Sequence, residues 1–249
     1  MDVFKDVRNF FLSSPGEKRV IGKSLFGRDL FAIRLGFGAP VGIAQYAIHG
    51  REWITSYLAF EHFRRGGVFG SVWFVPLANP DGALLSQKGL SSAPKASRAE
   101  LLALNGGGKS NVFAPGGENY VGAKPFSEPE TQALKAFTEQ IRPDYTLSFH
   151  TKGEEIYWRF HQKGMRAYRD YALAKSLSFS TGYPLGEASD SAGGYKDWCI
   201  ETFGIPAVTV EAGREEAAHP LGSGELKDMV RKCRNAIADL SYAAKKATK

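Results

Sequence analysis

Val41-Gly42-Ile43-Ala44-Gln45-Tyr46-Ala47-Ile48-His49-Gly50-Arg51-Glu52 is the stretch that decides the fold. Its first eight residues form an apolar run that reads as a buried strand. A helix-like stretch, Trp53 to Arg65, comes straight after it. Such a strand delivers an imidazole and a carboxylate, three positions apart, to its C-terminal edge. Open α/β sheets place their sites at that edge. A His and a Glu can make two thirds of a catalytic zinc site, because such zinc takes three protein ligands and keeps one position for water.

Working outward, two more apolar runs end in a functional side chain. Tyr145 to Phe149 runs into His150, and Val208-Thr209-Val210 runs into Glu211. Both read as parallel strands buried on two faces. The gaps between the three runs are long enough for crossover helices. A lone HxxE is weak evidence, since many helix starts carry one by chance. The other histidines act as controls. His62 lies in an amphipathic helix pattern beside Arg64 and Arg65 and reads as surface or core edge. His161 lies near Lys163 and Arg166, and His219 precedes Pro220 in a loop. None of the three ends an apolar run with a companion acid. Burying the Glu211 carboxylate is costly without a partner, and a nearby metal would remove that cost. The competing reading of Glu211 is a helix-cap or salt-bridge acid.

The rest of the chain alternates strand and helix. A short N-terminal helix precedes a hairpin from Arg19 to Leu35, turned at Gly27-Arg28-Asp29. Ser71 to Leu77 is a further strand, and Asn79-Pro80-Asp81-Gly82 reads as a turn. Residues 83–126 read as irregular, long for a loop in a compact domain. A helix is expected from Ser127 as N-cap to about Gln140, with Pro129 in its first turn. Further helices are expected over Met165 to Thr181, from Gly193-Gly194 to before Gly204, and over Glu225 to Lys245. The last has Leu226, Met229, Val230, Cys233, Ile237 and Leu240 on one face. The expectation is one domain, residues 1–249: a three-layer α/β/α sandwich around a mixed, mostly parallel sheet.

Composition narrows the function classes. The 249 residues are 43% hydrophobic and 23% charged, which suits one globular domain. No run of about eighteen apolar residues is present, so no membrane span is expected. The charged N-terminus has no hydrophobic region of a secretory signal, which points to a cytoplasmic protein, with an exported form after signal removal as the alternative. Two cysteines make no disulfide framework, and Cys199 reads as a buried free thiol. The net charge of +6 raises nucleic-acid binding, but the basic residues are scattered and no nucleic-acid motif appears. A basic surface equally favours anionic substrates such as acidic peptides.

HxxE with a distant His and a Glu at a strand end resembles the zinc carboxypeptidases of the pancreatic carboxypeptidase A type. Several stretches are similar to one branch of that family, the bacterial γ-D-glutamyl-diamino-acid peptidases acting on murein. They are Asn79-Pro80-Asp81-Gly82, Glu118-Asn119-Tyr120-Val121-Gly122 with Pro125 to Glu130, and Gly193 to Trp198. The most specific is Phe149-His150-Thr151-Lys152-Gly153-Glu154-Glu155-Ile156-Tyr157-Trp158. The resemblance implies one Zn2+ held by His49, Glu52 and His150, with Glu211 as general base and then general acid. It implies as substrate a murein stem peptide, cut between D-glutamate and diaminopimelate or lysine, or another small peptide. It places Lys196 near the pocket floor, where a cation suits a carboxylate; the alternative is a solvated helix-start residue. Tyr157 and Trp158 wall the cleft or belong to the core. Arg214 anchors a substrate carboxylate or merely flanks the site. The chain departs from the family after residue 82. The family's Trp-Arg/Lys-x-Asn and Gly-Val-Asp-x-Asn elements, which contact oxyanion and substrate carboxylate, have no counterpart in Leu101 to Asn111. Arg98, Lys109 and Lys152 are the cations available as substitutes. Two other readings stay open: a carboxypeptidase for ordinary peptides, and a zinc-containing peptide-binding module without turnover.

Overall fold

The computed structural model describes residues 1–95, 124–186 and 193–247. Seven strands form one sheet: β1 (Lys18–Lys23), β2 (Asp29–Gly36), β3 (Val41–Tyr46), β4 (Ser71–Val75), β5 (Tyr145–His150), β6 (Glu155–Tyr157) and β7 (Ala207–Glu211), in the order β1-β2-β4-β3-β5-β7-β6. The central four, β4-β3-β5-β7, are mutually parallel. The antiparallel hairpin β1–β2 closes one edge and β6, antiparallel to β7, closes the other. The helices are α1 (Val3–Ser13), α2 (Thr55–Arg65), α3 (Pro80–Lys88), α4 (Pro129–Ile141), α5 (Gly164–Thr181), α6 (Tyr195–Phe203), α7 (Ser223–Cys233) and α8 (Ala236–Ala247).

The side-chain period of two sorts the sheet's residues between two cores. On β4, Val72 and Phe74 face a large core with Ala44 and Tyr46 of β3, capped by α1, α2, α5, α7 and α8. Trp73 and Val75 face the opposite way, onto Leu134 and Phe137 of α4. Cys199 and Ile200 of α6 pack beside them on Ala207. Helices therefore cover both faces, as a three-layer sandwich requires. Each large apolar side chain buried in this way contributes roughly 1.5–3 kcal/mol. Among the described residues no helix is long and apolar enough to cross a membrane.

Four local expectations are corrected. Asn79-Pro80-Asp81-Gly82 is not a free turn; it starts α3, with Asn79 as N-cap accepting from the Gly82 N–H and Pro80 in the first helical position. Part of the segment expected to be irregular is thus helix, continued by a 3₁₀ turn over Gly89–Ser92. The cap of α4 is Glu128 rather than Ser127. The final helix is two helices, broken at Arg234 and Asn235, and the Cys233 carbonyl at the break accepts a hydrogen bond from His62 Nε2 at 2.8 Å. His62 is accordingly not at the surface but fully buried, with Tyr46 Oη 2.8 Å from its Nδ1.

Candidate active site

Strand β3 stops at Tyr46 because the chain turns into a left-handed conformation at Ala47 (φ 52°). That kink is secured on both sides. The Ala47 N–H donates to Thr55 Oγ1 at 2.9 Å, and Thr55 Oγ1 donates to the Glu52 carbonyl at 2.9 Å. From α3's side, the Asn79 N–H donates to the Ala47 carbonyl at 3.1 Å. A single 3₁₀ turn, Gly50–Glu52, then swings Glu52 inward, where it is buried, while His49 stays exposed. The neighbouring strand β5 contributes His150 at its last position. His150 is in register with Glu211, the last residue of β7. Three strand ends thus bring together the four residues singled out in the sequence.

The distances are short. His49 Nδ1 lies 2.9 Å from Glu52 Oε1, His150 Nδ1 lies 3.0 Å from Glu52 Oε2, and the two Nδ1 atoms are 3.2 Å apart. In tetrahedral zinc with bonds of about 2.0–2.1 Å, ligand atoms stand about 3.3 Å from one another. Glu52 Oε2 is buried with no aligned hydrogen-bond donor, although His150 Nδ1 is close. Ligand atoms of all three residues lie within 4.8 Å of one another, and such a convergence of imidazole and carboxylate atoms is what a cation requires. Two imidazoles and a carboxylate are also the donor set of a catalytic zinc site with one open position. His49, Glu52 and His150 therefore fit such an ion.

Charge coupling is strong even without one. Burial alone would raise the Glu52 carboxyl, but the His150 and His49 imidazoles outweigh it and hold it down at about 2. Burial would lower His150, but the Glu52 carboxylate, with Glu211 behind it, raises it to about 9. Glu211 moves the other way. Burial pushes its carboxyl up to about 7, against the pull of His150 and with the push of Glu52. Two carboxylates in one site are thus driven apart, a separation typical of groups assigned different tasks.

The substrate-side candidates are engaged elsewhere in the fold. Lys196 is well packed rather than solvated; its ammonium pairs with Asp197, donates to the Arg159 carbonyl at 3.1 Å and lies over the Phe160 ring. Lys152 reaches Glu215, 3.4 Å from its Oε2. Tyr157 donates to Glu155 Oε2 at 2.6 Å. Arg214 forms a two-pronged pair with Glu225, at 3.2 and 2.5 Å, which favours its flanking reading. Arg98, Lys109, Leu101 to Asn111 and the Glu118 to Gly122 stretch lie outside the described residues. Two residues escaped the sequence reading. Thr55 ties Ala47 to Glu52, and its signal was a cap-forming residue three positions after Glu52. Glu155 sits opposite Glu211 across the β6–β7 pair, and its signal was the alternation Glu155-Ile156-Tyr157.

Comparison with known proteins agrees with this geometry. The profile of the zinc carboxypeptidases (peptidase M14) matches residues 71–234, about two thirds of the chain, including His150 and Glu211. The chain is 26% identical over 238 residues to γ-D-glutamyl-L-diamino acid endopeptidase 1 of Lysinibacillus sphaericus, an alignment covering 78% of this chain and 59% of that protein. It thus spans little more than half that relative's length. Among solved structures, bovine thrombin-activatable fibrinolysis inhibitor, in complex with a tick carboxypeptidase inhibitor, superposes with TM-score 0.78 at 17% identity, covering 98% of this chain and 97% of that one. The murein-tripeptide amidase MpaA of Escherichia coli O157 superposes with TM-score 0.58 at 20% identity, covering 95% and 93%. At such identities these two likenesses speak to the fold alone. The profile match over about two thirds of the chain, taken with that fold, settles the kinship: the chain belongs to the zinc carboxypeptidase family of metallopeptidases.

Proposed function

We propose that this protein hydrolyses the amide joining the γ-carboxyl of D-glutamate to a diamino acid, diaminopimelate or lysine, in murein stem peptides. The observation that carries the hydrolytic part is the convergence of His49, Glu52 and His150, with Glu211 in register beside them. The choice of substrate draws support from the Phe149 to Trp158 stretch and from the named specificity of the Lysinibacillus relative.

In this reading His49, Glu52 and His150 hold one zinc ion. When bound, zinc supplies a Lewis acid and lowers the pKa of water from 15.7 to about 7. Glu211 takes the proton of the attacking water and hands it to the departing amine. Glu52 stays ionised throughout and holds His150 in place. Lys152, Tyr157, Lys196 and Arg214 remain the candidates for contacts with substrate, Lys196 for a carboxylate of the released diamino acid, and each would exchange its present partner for the substrate.

The test is direct. The zinc-loaded protein should release diaminopimelate from L-Ala-γ-D-Glu-diaminopimelate, and Glu211→Gln should lower the rate by about 10²–10⁴-fold with zinc still bound. Failure of the fully metallated protein to cleave any peptide would favour a binding module. Cleavage of free α-linked peptides in preference to the γ-linked one would favour an ordinary carboxypeptidase.

A further inference from the structure

Asn79 has no assigned task, yet it is the residue that joins α3 to the turn carrying two of the three metal-binding candidates. Its side-chain oxygen accepts from the Gly82 N–H at 2.8 Å, which caps α3. Its side-chain nitrogen donates to the carbonyl of Ile48, immediately before His49, at 3.1 Å. Its backbone N–H donates to Ala47, as described above, and the preceding Ala78 N–H donates to Tyr46 at 2.9 Å. Three consecutive contacts, to the carbonyls of Tyr46, Ala47 and Ile48, therefore lead from the end of β3 to the ligand turn.

The same two segments touch again at Gly50 and Gly82. A Cβ placed on Gly50 would stand 2.4 Å from the Gly82 carbonyl carbon. The start of α3 is thus pressed against the 3₁₀ turn with no room for a side chain between them. The position of His49 and Glu52 is set by α3 as much as by β3.

We propose that Asn79 is a positioning residue for the metal centre: its amide bridges the first turn of α3 to the Ile48 carbonyl and so fixes where His49 and Glu52 present their donor atoms. The proposal rests on the metal-site reading given above. It also accounts for the residue type. Asn, Asp and Ser all cap helices well, because each offers an acceptor to the first turn. Of the three, Asn alone also offers an amide N–H₂ long enough to reach a second backbone carbonyl. Aspartate would keep the cap but set a carboxylate oxygen against the Ile48 carbonyl.

That difference separates the positioning role from a capping role. The experiment compares the wild-type chain with Asn79→Asp and Asn79→Ser, each stripped of metal and titrated with zinc against a chromophoric chelator. The metal-free thermal midpoint is measured in parallel. Wild type should bind one zinc per chain. Both variants should lower the midpoint by only a few degrees, since the cap survives and one hydrogen bond is lost, and bind zinc about tenfold more weakly, the size of effect seen for groups that orient metal ligands. The loss should appear in Asn79→Asp although its added negative charge favours a cation. Wild-type zinc affinity in Asn79→Asp would overturn the proposal while leaving the metal site intact. Absence of zinc binding by the wild type would overturn the metal-site reading itself.

Discussion

His62 makes this protein's stability depend on pH between neutrality and pH 4. Its Nε2 faces a backbone carbonyl, which can only accept, so Nε2 carries the proton. Nδ1 is then left to accept from the Tyr46 hydroxyl. Burial pushes the pKa down from the ordinary 6.5 to about 4, opposed only in part by the Cys233 carbonyl. Between those two values the unfolded chain binds a proton that the folded chain refuses. Stability therefore rises with pH across the window; it is whole above about 6.5 and lost as the pH falls towards 4. A shift of this size is worth about 3 kcal/mol, lost at up to about 1.4 kcal/mol per pH unit. The assay is urea unfolding of metal-free wild type and His62→Gln from pH 7.5 to 4.5. Other groups titrate over the same range, Glu211 among them, but they are common to both chains and largely cancel in the difference. The variant carries its own cost for altering a buried pair of hydrogen bonds. The gap between the curves should narrow by about 3 kcal/mol on acidification. A gap of constant size would refute the reasoning, because His62 would then titrate alike in both states.

Two further substitutions probe the framework of the site. Gly50→Ala forces a methyl into the Gly82 backbone, so zinc affinity in the chelator titration should fall by about tenfold or more; an unchanged affinity would mean the two segments separate freely. Arg28→Ala strips the partner from Asp81, which is nearly buried and also accepts from the Phe26 N–H at 2.7 Å. Leaving one member of a buried pair alone costs about 3 kcal/mol, measurable as a lower urea midpoint, and a loss near zero would show that water reaches the carboxylate.

Much of the site was legible because its signals are local. The runs before His49, His150 and Glu211 are apolar along their whole length, as strands covered on both faces must be. A functional group at the end of such a run is conspicuous, since nothing in the run itself calls for it. What the sequence hid was ambiguous locally and decided by distant contacts. Asn79-Pro80-Asp81-Gly82 satisfies the composition of a turn and that of a helix start equally, with Asn as cap and Pro in the first position. Packing of Gly82 on Gly50 and the Asp81–Arg28 pair, both remote in sequence, select the helix. His62 looked peripheral because its neighbours Arg64 and Arg65 are charged. Its burial depends on the break in the last helical pair, 171 residues away. The break itself is invisible to periodicity, since Cys233 and Ile237 remain on the same buried side across it. Lys196 reads from sequence as a pocket-floor cation or a solvated helix-start residue, and Arg214 as a carboxylate anchor or a flanking residue; their partners, Asp197 and Glu225, are revealed only by side-chain geometry.

The two thiols offer a practical handle. Cys199 and Cys233 are both fully enclosed, one on each side of the sheet, and burial pushes each up to about 12. Only the thiolate attacks alkylating or disulfide reagents, so neither sulfur reacts while the chain is intact. Labelling at one sulfur records the opening of the layer under α6, and at the other the parting of α7 from α2. Peptide mapping of a timed alkylation would then tell whether the two layers come away together or one before the other.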